Sequence, residues 1–363
     1  MRLLVAAGGT GGHIFPAIAV VEELKRRDPS SKVLFVGSRN RMEVKIIPAM
    51  GFDFRVIHAA ALPRRISPHL FIAGRELTFG VIQAIGVVRS FEPESIFITG
   101  GYVCAPVAFA GIVTGVPLFV QEQNAVPGLT NRAVGRWARK VFLGFEEATE
   151  WFDRAKVEVT GNPIRFRDPP PRHVAAKRIG LDPDMKTLFV MGGSQGASAI
   201  NEAMIKTLPL LDDIADELQI VHQTGRLDYD MVQDAYRRSR IRHLVKPFFD
   251  EIHLVYSAAD LMLCRAGGMT IAEITAFGLP AILVPFARAT NDHQRLNALS
   301  LERKGAATVI PEKEISPERL AREIKRIILD EPRLSDMSRA SRSLGNPNAA
   351  GMILDSMLRN LRG

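Results

Sequence analysis

The stretch Leu3-Leu4-Val5-Ala6-Ala7-Gly8-Gly9-Thr10-Gly11-Gly12-His13-Ile14-Phe15-Pro16 decides how the rest of the chain is read. Five apolar residues without alternation predict a strand covered on both faces, the pattern of a parallel sheet lying between helices. The glycines after it predict a turn where backbone approaches a ligand closely, and Pro16 predicts the start of a helix running to about Arg27. Strand, glycine turn and helix N-terminus in that order make a place for an anion. The first N–H groups of a helix lack partners, and its dipole is positive at that end.

Working outward, the same kind of apolar run recurs at Lys32-Val36, Phe54-Ile57, Ser95-Thr99, Leu118-Gln121, Lys140-Leu143 and Val157-Val159, with helical patterns between. Gly161-Asn162-Pro163 and Asp168-Pro169-Pro170-Pro171 interrupt the series, since such prolines join neither a helix nor a central strand. Runs resume at Thr187-Met191, Leu218-Gln223, His243-Lys246, Leu261-Cys264, Ala281-Val284 and Ala307-Ile310. The expectation is an α/β protein of two doubly wound domains, 1–162 and 163–344. A last amphipathic helix, within about 345–363, is expected to pack back on the first. Ser95 to Gln121 carries no charge over nearly a bilayer's length, but Gly100-Gly101, Pro106, Gly115 and Pro117 cut it into strand, helix and strand. The apolar start at Met1–Ala7 is broken by glycines before it reaches the length of a signal peptide, so no export is expected.

The glycine turn is repeated. Met191-Gly192-Gly193-Ser194-Gln195-Gly196-Ala197-Ser198 and Arg265-Ala266-Gly267-Gly268-Met269-Thr270 each follow a strand and open a helix. A single turn of this kind serves equally to tighten a strand-to-helix connection; three, in both halves, point to an anionic ligand. A dinucleotide is a poor fit, because GxGxxG begun at Gly9 would need glycine at Ile14 and the second strand ends Val36-Gly37-Ser38-Arg39 without an acid for the ribose. No GxxxxGK[ST] occurs either. A sugar nucleotide remains, with its diphosphate at helix ends and Glu273, one turn into an otherwise apolar helix, as acceptor for ribose hydroxyls. Asp182-Pro183-Asp184 and Asp228-Tyr229-Asp230 match the DxD letters of metal-dependent transferases, but they read as a turn and a helix cap.

Composition agrees with a globular chain. Of 363 residues, 47% are hydrophobic and 24% charged, and two cysteines, Cys104 and Cys264, without ligand spacing argue against a disulfide scaffold or zinc site. The net charge of +8 is local: Met1 to Lys140 holds 17 Lys plus Arg against 9 Asp plus Glu. A basic first half suits anionic lipid or phosphate ligands. Nucleic acid would call for basic clusters interleaved with aromatics, and only 7% of the chain is aromatic.

The ordered set Gly8-Gly9-Thr10-Gly11-Gly12-His13-Ile14-Phe15-Pro16-Ala17, Glu122-Gln123-Asn124, Gly161-Asn162-Pro163-Ile164-Arg165, Gly192-Gly193-Ser194-Gln195-Gly196-Ala197 and Thr270-Ile271-Ala272-Glu273 resembles the MurG family over almost the whole chain. These are the UDP-N-acetylglucosamine:lipid I N-acetylglucosaminyltransferases of peptidoglycan synthesis. The resemblance implies a GT-B fold, two Rossmann-like domains with a cleft between them, the lipid acceptor on the first and the UDP-sugar on the second. It implies transfer of N-acetylglucosamine to the C4 hydroxyl of the muramoyl sugar on undecaprenyl diphosphate, giving lipid II with inversion. UDP-N-acetylglucosamine is then a substrate and no cofactor is required. The implied partners are lipid I, an anionic membrane surface and other proteins of cell-wall synthesis, with no nucleic acid. The implied location is peripheral, on the cytoplasmic face of the bacterial plasma (inner) membrane, in service of cell shape and division.

Carried onto this chain, the resemblance makes Glu273 the ribose ligand and Phe249 the residue whose backbone meets uracil. It makes Ser194 and Arg165 diphosphate contacts, with Gly268, Met269 and Thr270 at the same helix end, and Gln294 the reader of the sugar hydroxyls. Thr10, Gly11 and Gly12 face the acceptor diphosphate, and Asn124 lines the same cleft. His13 is the candidate base: at a helix N-terminus the imidazole stays neutral and able to accept a proton, unless it only packs the loop. Gln121 stands where relatives often carry His and receives no role; Gly267-Gly268 stands where some have glycine and alanine. Leu77 to Val88 (Phe79, Val81, Ile82, Ile85, Val87, Val88), flanked by Arg75 and Arg89, suits a helix in the headgroup region or a buried helix. The rivals are a diacylglycerol glycosyltransferase, a UDP-N-acetylglucosamine 2-epimerase, which needs cleft carboxylates that are scarce here, and a nucleic-acid-binding protein.

Overall fold

A computed structural model of the chain describes residues 1–39, 42–59, 69–166 and 168–362, with backbone alone at 69–73, 290 and 362. It divides into two compact units, Met1–Arg165 with Pro347–Gly363, and Phe166–Asn346. In the first, β1 (Arg2–Ala7), β2 (Lys32–Ser38), β3 (Asp53–Ile57), β4 (Ser95–Gly100), β5 (Leu118–Glu122), β6 (Lys140–Leu143) and β7 (Val157–Val159) form a parallel sheet in the order β3-β2-β1-β4-β5-β6-β7. In the second, β8 (Lys186–Met191), β9 (Leu218–Gln223), β10 (Arg242–Lys246), β11 (Leu261–Cys264), β12 (Ala281–Leu283) and β13 (Ala307–Val309) run parallel in the order β10-β9-β8-β11-β12-β13.

The continuous apolar runs have the cause read from the sequence. Alternate residues of β1 enter two different cores: Leu4 and Ala6 pack with Ile96, Ile98 and Val107, while Leu3, Val5 and Ala7 pack with Ile14, Ile18 and Phe97. The second core is closed by Ile353, Leu354 and Met357 of the helix Ala349–Arg362, which lies on the helix Gly11–Arg27 and is tied to it by the Arg27–Asp355 ion pair. In the second unit Leu188, Val190, Ile220 and Leu263 pack under the helices Ser198–Thr207 and Pro317–Ile328. On the other face Phe189 meets Tyr256 edge-on at 5.6 Å and Phe249 at 6.4 Å.

Ser95 to Gln121 is β4, the helix Cys104–Thr114 and β5, and no described helix is long and apolar enough to cross a membrane. The units divide at 165/166 and 346/347, a few residues beyond the limits of 162 and 344 read from the sequence, and the first helix also starts earlier than read. The first helix begins at Gly11, not Pro16, so the second glycine pair forms its first turn.

In each sheet the strand order reverses once, between β1 and β4 and between β8 and β11. Such a switch point opens a crevice outside the carboxyl ends of the two strands, because their crossovers leave in opposite directions. All three glycine turns stand at these four strand ends.

Candidate active site

At the first switch point the turn after β1 meets the end of β4. The Gly8 N–H donates to the Gly100 carbonyl at 3.2 Å. A Cβ on Gly101, whose φ is +96°, would lie 2.3 Å from the Gly8 oxygen, so this crossing requires glycine. The Gly9 N–H donates to the buried Glu43 carboxylate at 3.1 Å, and the His13 and Ile14 N–H groups donate to the Thr10 carbonyl. That leaves the N–H groups of Thr10, Gly11 and Gly12 with no protein partner among the described residues. Three orphan donors at a helix N-terminus can hold an anion.

His13 is half-buried beside them. Its Nδ1 lies 3.0 Å from the Gly8 carbonyl, which only accepts, so Nδ1–H is the donor of this contact. The ring lies against Gly100, where a Cβ would stand 2.8 Å from Cδ2, and the Thr99 hydroxyl donates to the His13 carbonyl at 2.7 Å. Thr99 and Gly100 escape sequence reading because nothing in their spacing announces the contact.

Glu122, at the end of β5, is 1% exposed. Its carboxylate accepts from the Asn124 N–H at 3.0 Å, the Gly128 N–H at 3.0 Å and Asn131 Nδ2 at 2.9 Å, and the Asn124 amide turns onto it at 3.3 Å. Burial pushes the carboxyl above its ordinary pKa, and these donors pull it back. Gln121 donates to Asn162 at 2.7 Å, Asn162 to the Gln123 carbonyl at 2.9 Å, and Gln123 to the Thr99 carbonyl at 2.7 Å. This buried chain of amides joins the end of β5 to the strand that braces His13.

In the second unit Ser194 is exposed at the tip of the turn after β8. A Cβ on Gly196 would lie 2.1 Å from the Thr224 carbonyl, and one on Gly225 2.2 Å from the Gln195 carbonyl, so two backbones interlock there. Beneath, Asn201 Nδ2 donates to the Thr224 carbonyl at 2.9 Å and to Asp228 at 2.8 Å, and its Oδ1 faces His222 Nε2 at 3.0 Å. His222 Nδ1 faces the Tyr236 hydroxyl at 3.1 Å. Burial pushes the His222 pKa down to about 3, so the ring is a neutral link. Asp228 stands at the cap position of the helix Tyr229–Arg237, but its side chain makes no cap hydrogen bond. Asp182 accepts from the Asp184 N–H at 3.0 Å, a turn contact. No group of three or more His, Cys, Asp or Glu is placed to hold a metal among the described residues.

After β11, Gly267 caps the helix Gly268–Phe277, which carries Met269 and Thr270 in its first turn and Glu273 one turn in. The Tyr256 hydroxyl, fully buried, donates to Glu273 at 2.7 Å and holds its carboxylate; this partner is invisible in the linear sequence. Gln294 Oε1 accepts from the Phe286 N–H at 2.9 Å, leaving Nε2 as the donor it can offer. Just before it Asn291 and Asp292 sit at φ of 53° and 54°, a left-handed pair that costs non-glycine residues of order 1 kcal/mol each. Phe249 is 6% exposed, so it offers backbone rather than ring, and its N–H donates to Gln223 at 2.9 Å. Arg165 belongs to the first unit, where its guanidinium lies 3.4 Å from Glu22.

Leu77 to Val88 lies within the helix His69–Phe91, which has two faces. Ala84 and Val88 are buried in the core, whereas Phe79 is 51% and Ile82 61% exposed; on the neighbouring helix Phe109 and Val113 are exposed as well. Of the segment read as either buried or at the headgroups, Val88 thus belongs to the core side, and Phe79 and Ile82 to the exposed side.

Two doubly wound halves carry glycine turns at their switch points, the arrangement of a nucleotide-binding α/β protein. Residues 3–143 match the model of the Glycosyltransferase family 28 N-terminal domain, and residues 187–352 that of the C-terminal domain. The chain is 40% identical over 365 residues to the UDP-N-acetylglucosamine--N-acetylmuramyl-(pentapeptide) pyrophosphoryl-undecaprenol N-acetylglucosamine transferase of Syntrophus aciditrophicus (strain SB), covering 100% of this chain and 99% of that one, and it belongs to that family. The crystal structure of Acinetobacter baumannii MurG matches with a TM-score of 0.78 at 27% identity, covering 99% of both chains. A UDP-GlcNAc 2-epimerase from Neisseria meningitidis bound to UDP-GlcNAc matches with a TM-score of 0.67 at 14% identity, over 99% of this chain and 100% of that one; this likeness is one of fold alone.

Proposed function

We propose that the chain transfers N-acetylglucosamine from UDP-N-acetylglucosamine to the C4 hydroxyl of the muramoyl sugar of lipid I, inverting the anomeric centre and giving lipid II. The observation that carries this is the 40% identity over the full length to a transferase of that name. His13 Nε2 takes the proton of the C4 hydroxyl as its oxygen bonds to the anomeric carbon. The bond from that carbon to the diphosphate breaks on the opposite side and UDP leaves. Charge developing on UDP is met by Ser194 and by Gly268, Met269 and Thr270 at their helix N-terminus. With the leaving group compensated by the chain's own groups, the step calls for no metal, and a chelator is expected to leave the rate unchanged. Glu273 accepts from the ribose hydroxyls, Phe249 backbone meets uracil, and Gln294 donates to the sugar.

In this reading the first unit, Met1–Arg165 with Pro347–Gly363, is the acceptor and membrane-facing domain, and the second, Phe166–Asn346, the donor domain. The N–H groups of Thr10, Gly11 and Gly12 hold the acceptor diphosphate, with Asn124 close by. Phe79 and Ile82, with Arg75 and Arg89 on the same helix, rest in the headgroup region of an anionic bilayer, and the enzyme works at the cytoplasmic face of the plasma membrane in this reading. The test is UDP release with a soluble lipid I analogue compared with diacylglycerol. Release dependent on the lipid I analogue supports the proposal; release only with diacylglycerol overturns it.

A further inference from the structure

We propose that Gln223 is a positioning residue that holds the base-reading and the diphosphate-reading parts of the donor site in one register. The inference rests on the donor reading above and deepens it. Gln223 is the last residue of β9 and is 1% exposed. Its Nε2 donates to the Gly193 carbonyl at 3.3 Å, and its Oε1 accepts from the Phe249 N–H at 2.9 Å. One partner only accepts and the other only donates, so the orientation of the amide is determined by its surroundings. A single buried side chain thus ties the turn that carries Ser194 to the segment that carries Phe249.

The bond to Phe249 has a consequence for the base. In a trans peptide the carbonyl points away from the N–H, so the Phe249 N–H turned to Gln223 directs the Phe248 carbonyl to the opposite side. That carbonyl has no partner among the described residues. An acceptor suits the N3–H of uracil and refuses cytosine, whose N3 carries no proton. The peptide cannot easily turn, because the Phe249 ring is packed edge-on against Phe189 at 89° with the Lys246 ammonium 5.4 Å from its centre. On the other side the Gly193 carbonyl also accepts from the Gly196 N–H at 3.1 Å, so Gln223 adds a second restraint to a turn already closed on itself. The neighbouring His222 points to the other face of β9, so the strand end braces the donor site on both faces.

The test is calorimetric binding of UDP and of CDP to the full chain, with steady-state kinetics and melting temperature, for wild type, Gln223→Ala and Gln223→Glu. Loss of both bonds in Gln223→Ala is expected to weaken UDP about tenfold, to lower the preference for UDP over CDP, and to raise KM for the donor with kcat retained. Gln223→Glu keeps an acceptor for the Phe249 N–H but faces the Gly193 carbonyl with a carboxylate. It should weaken both nucleotides while keeping the preference. Wild-type affinity and preference in Gln223→Ala would overturn the proposal, as would a lowered melting temperature with the preference intact. A wild type that binds UDP no better than CDP would instead remove the base reading at the Phe248–Phe249 peptide, and the proposal with it.

Discussion

Replacing His222 by glutamine converts the suppressed basicity of a buried ring into a stability difference that depends on pH. His222 is fully buried between Asn201 and the Tyr236 hydroxyl, and burial lowers its pKa from 6.5 to about 3. In the unfolded chain the ring titrates near 6.5, so below that pH the unfolded state takes up a proton that the folded state refuses. The group's contribution is whole above about pH 6.5 and is lost progressively as pH falls toward 3. At pH 5 the unfolded state gains about 1.5 pH units of proton binding, which costs the fold about 2 kcal/mol. Glutamine occupies the site without titrating, and its own cost, about 1–3 kcal/mol for imperfect hydrogen bonds, does not change with pH. Urea unfolding of both proteins at pH 7.5 and pH 5.0 reads the effect, and groups common to both cancel. The stability gap between wild type and His222→Gln should narrow by about 2 kcal/mol at the lower pH. A gap that stays constant would refute the neutral buried ring, and with it the Asn201 link beneath the Ser194 turn.

Three further outcomes are expected. His13→Ala should lower kcat by at least about a hundredfold while leaving UDP affinity within a factor of about two, read by steady-state kinetics and calorimetry, because the lost group acts on the acceptor proton. Tyr256→Phe removes one hydrogen bond to a carboxylate, so KM for UDP-N-acetylglucosamine should rise about tenfold with little change in kcat. In flotation with anionic liposomes, Phe79→Glu and Ile82→Glu should abolish membrane association at unchanged melting temperature, whereas Val88→Glu should lower the melting temperature, since it places a charge in the core. Flotation that survives the two exposed changes would remove this face from membrane binding.

The strand series was legible because burial on both faces needs no partner to be known: Leu3-Ala7 is β1 less one residue, and Leu261-Cys264 is β11. Helix starts were less legible. Gly11 and Gly12 read as turn because glycine disfavours helices, yet the first turn of a helix that offers bare N–H groups to a ligand tolerates them. The placement of the glycine turns, His13 and Glu273 beside strand ends was legible because each sits a short distance along the chain from a strand. Their supports were not. Thr99 reaches His13 from 86 residues away, Asn201 and His222 are 21 apart, and the Phe249 N–H finds Gln223 across 26. Such pairs are set by which strands lie side by side, and the order β10-β9-β8-β11 is not written in local spacing. Arg165 illustrates the same limit, since its ion pair with Glu22 joins residues 143 apart.

The most direct test of the account is the structure of the product formed from UDP-N-acetylglucosamine and a soluble lipid I analogue, determined by proton NMR. The account predicts a single new N-acetylglucosamine joined through a β linkage to C4 of the muramoyl sugar, formed in step with UDP release and at least about a hundredfold more slowly with His13→Ala. An α linkage, attachment at another position, or epimerised nucleotide sugar without transfer would contradict it.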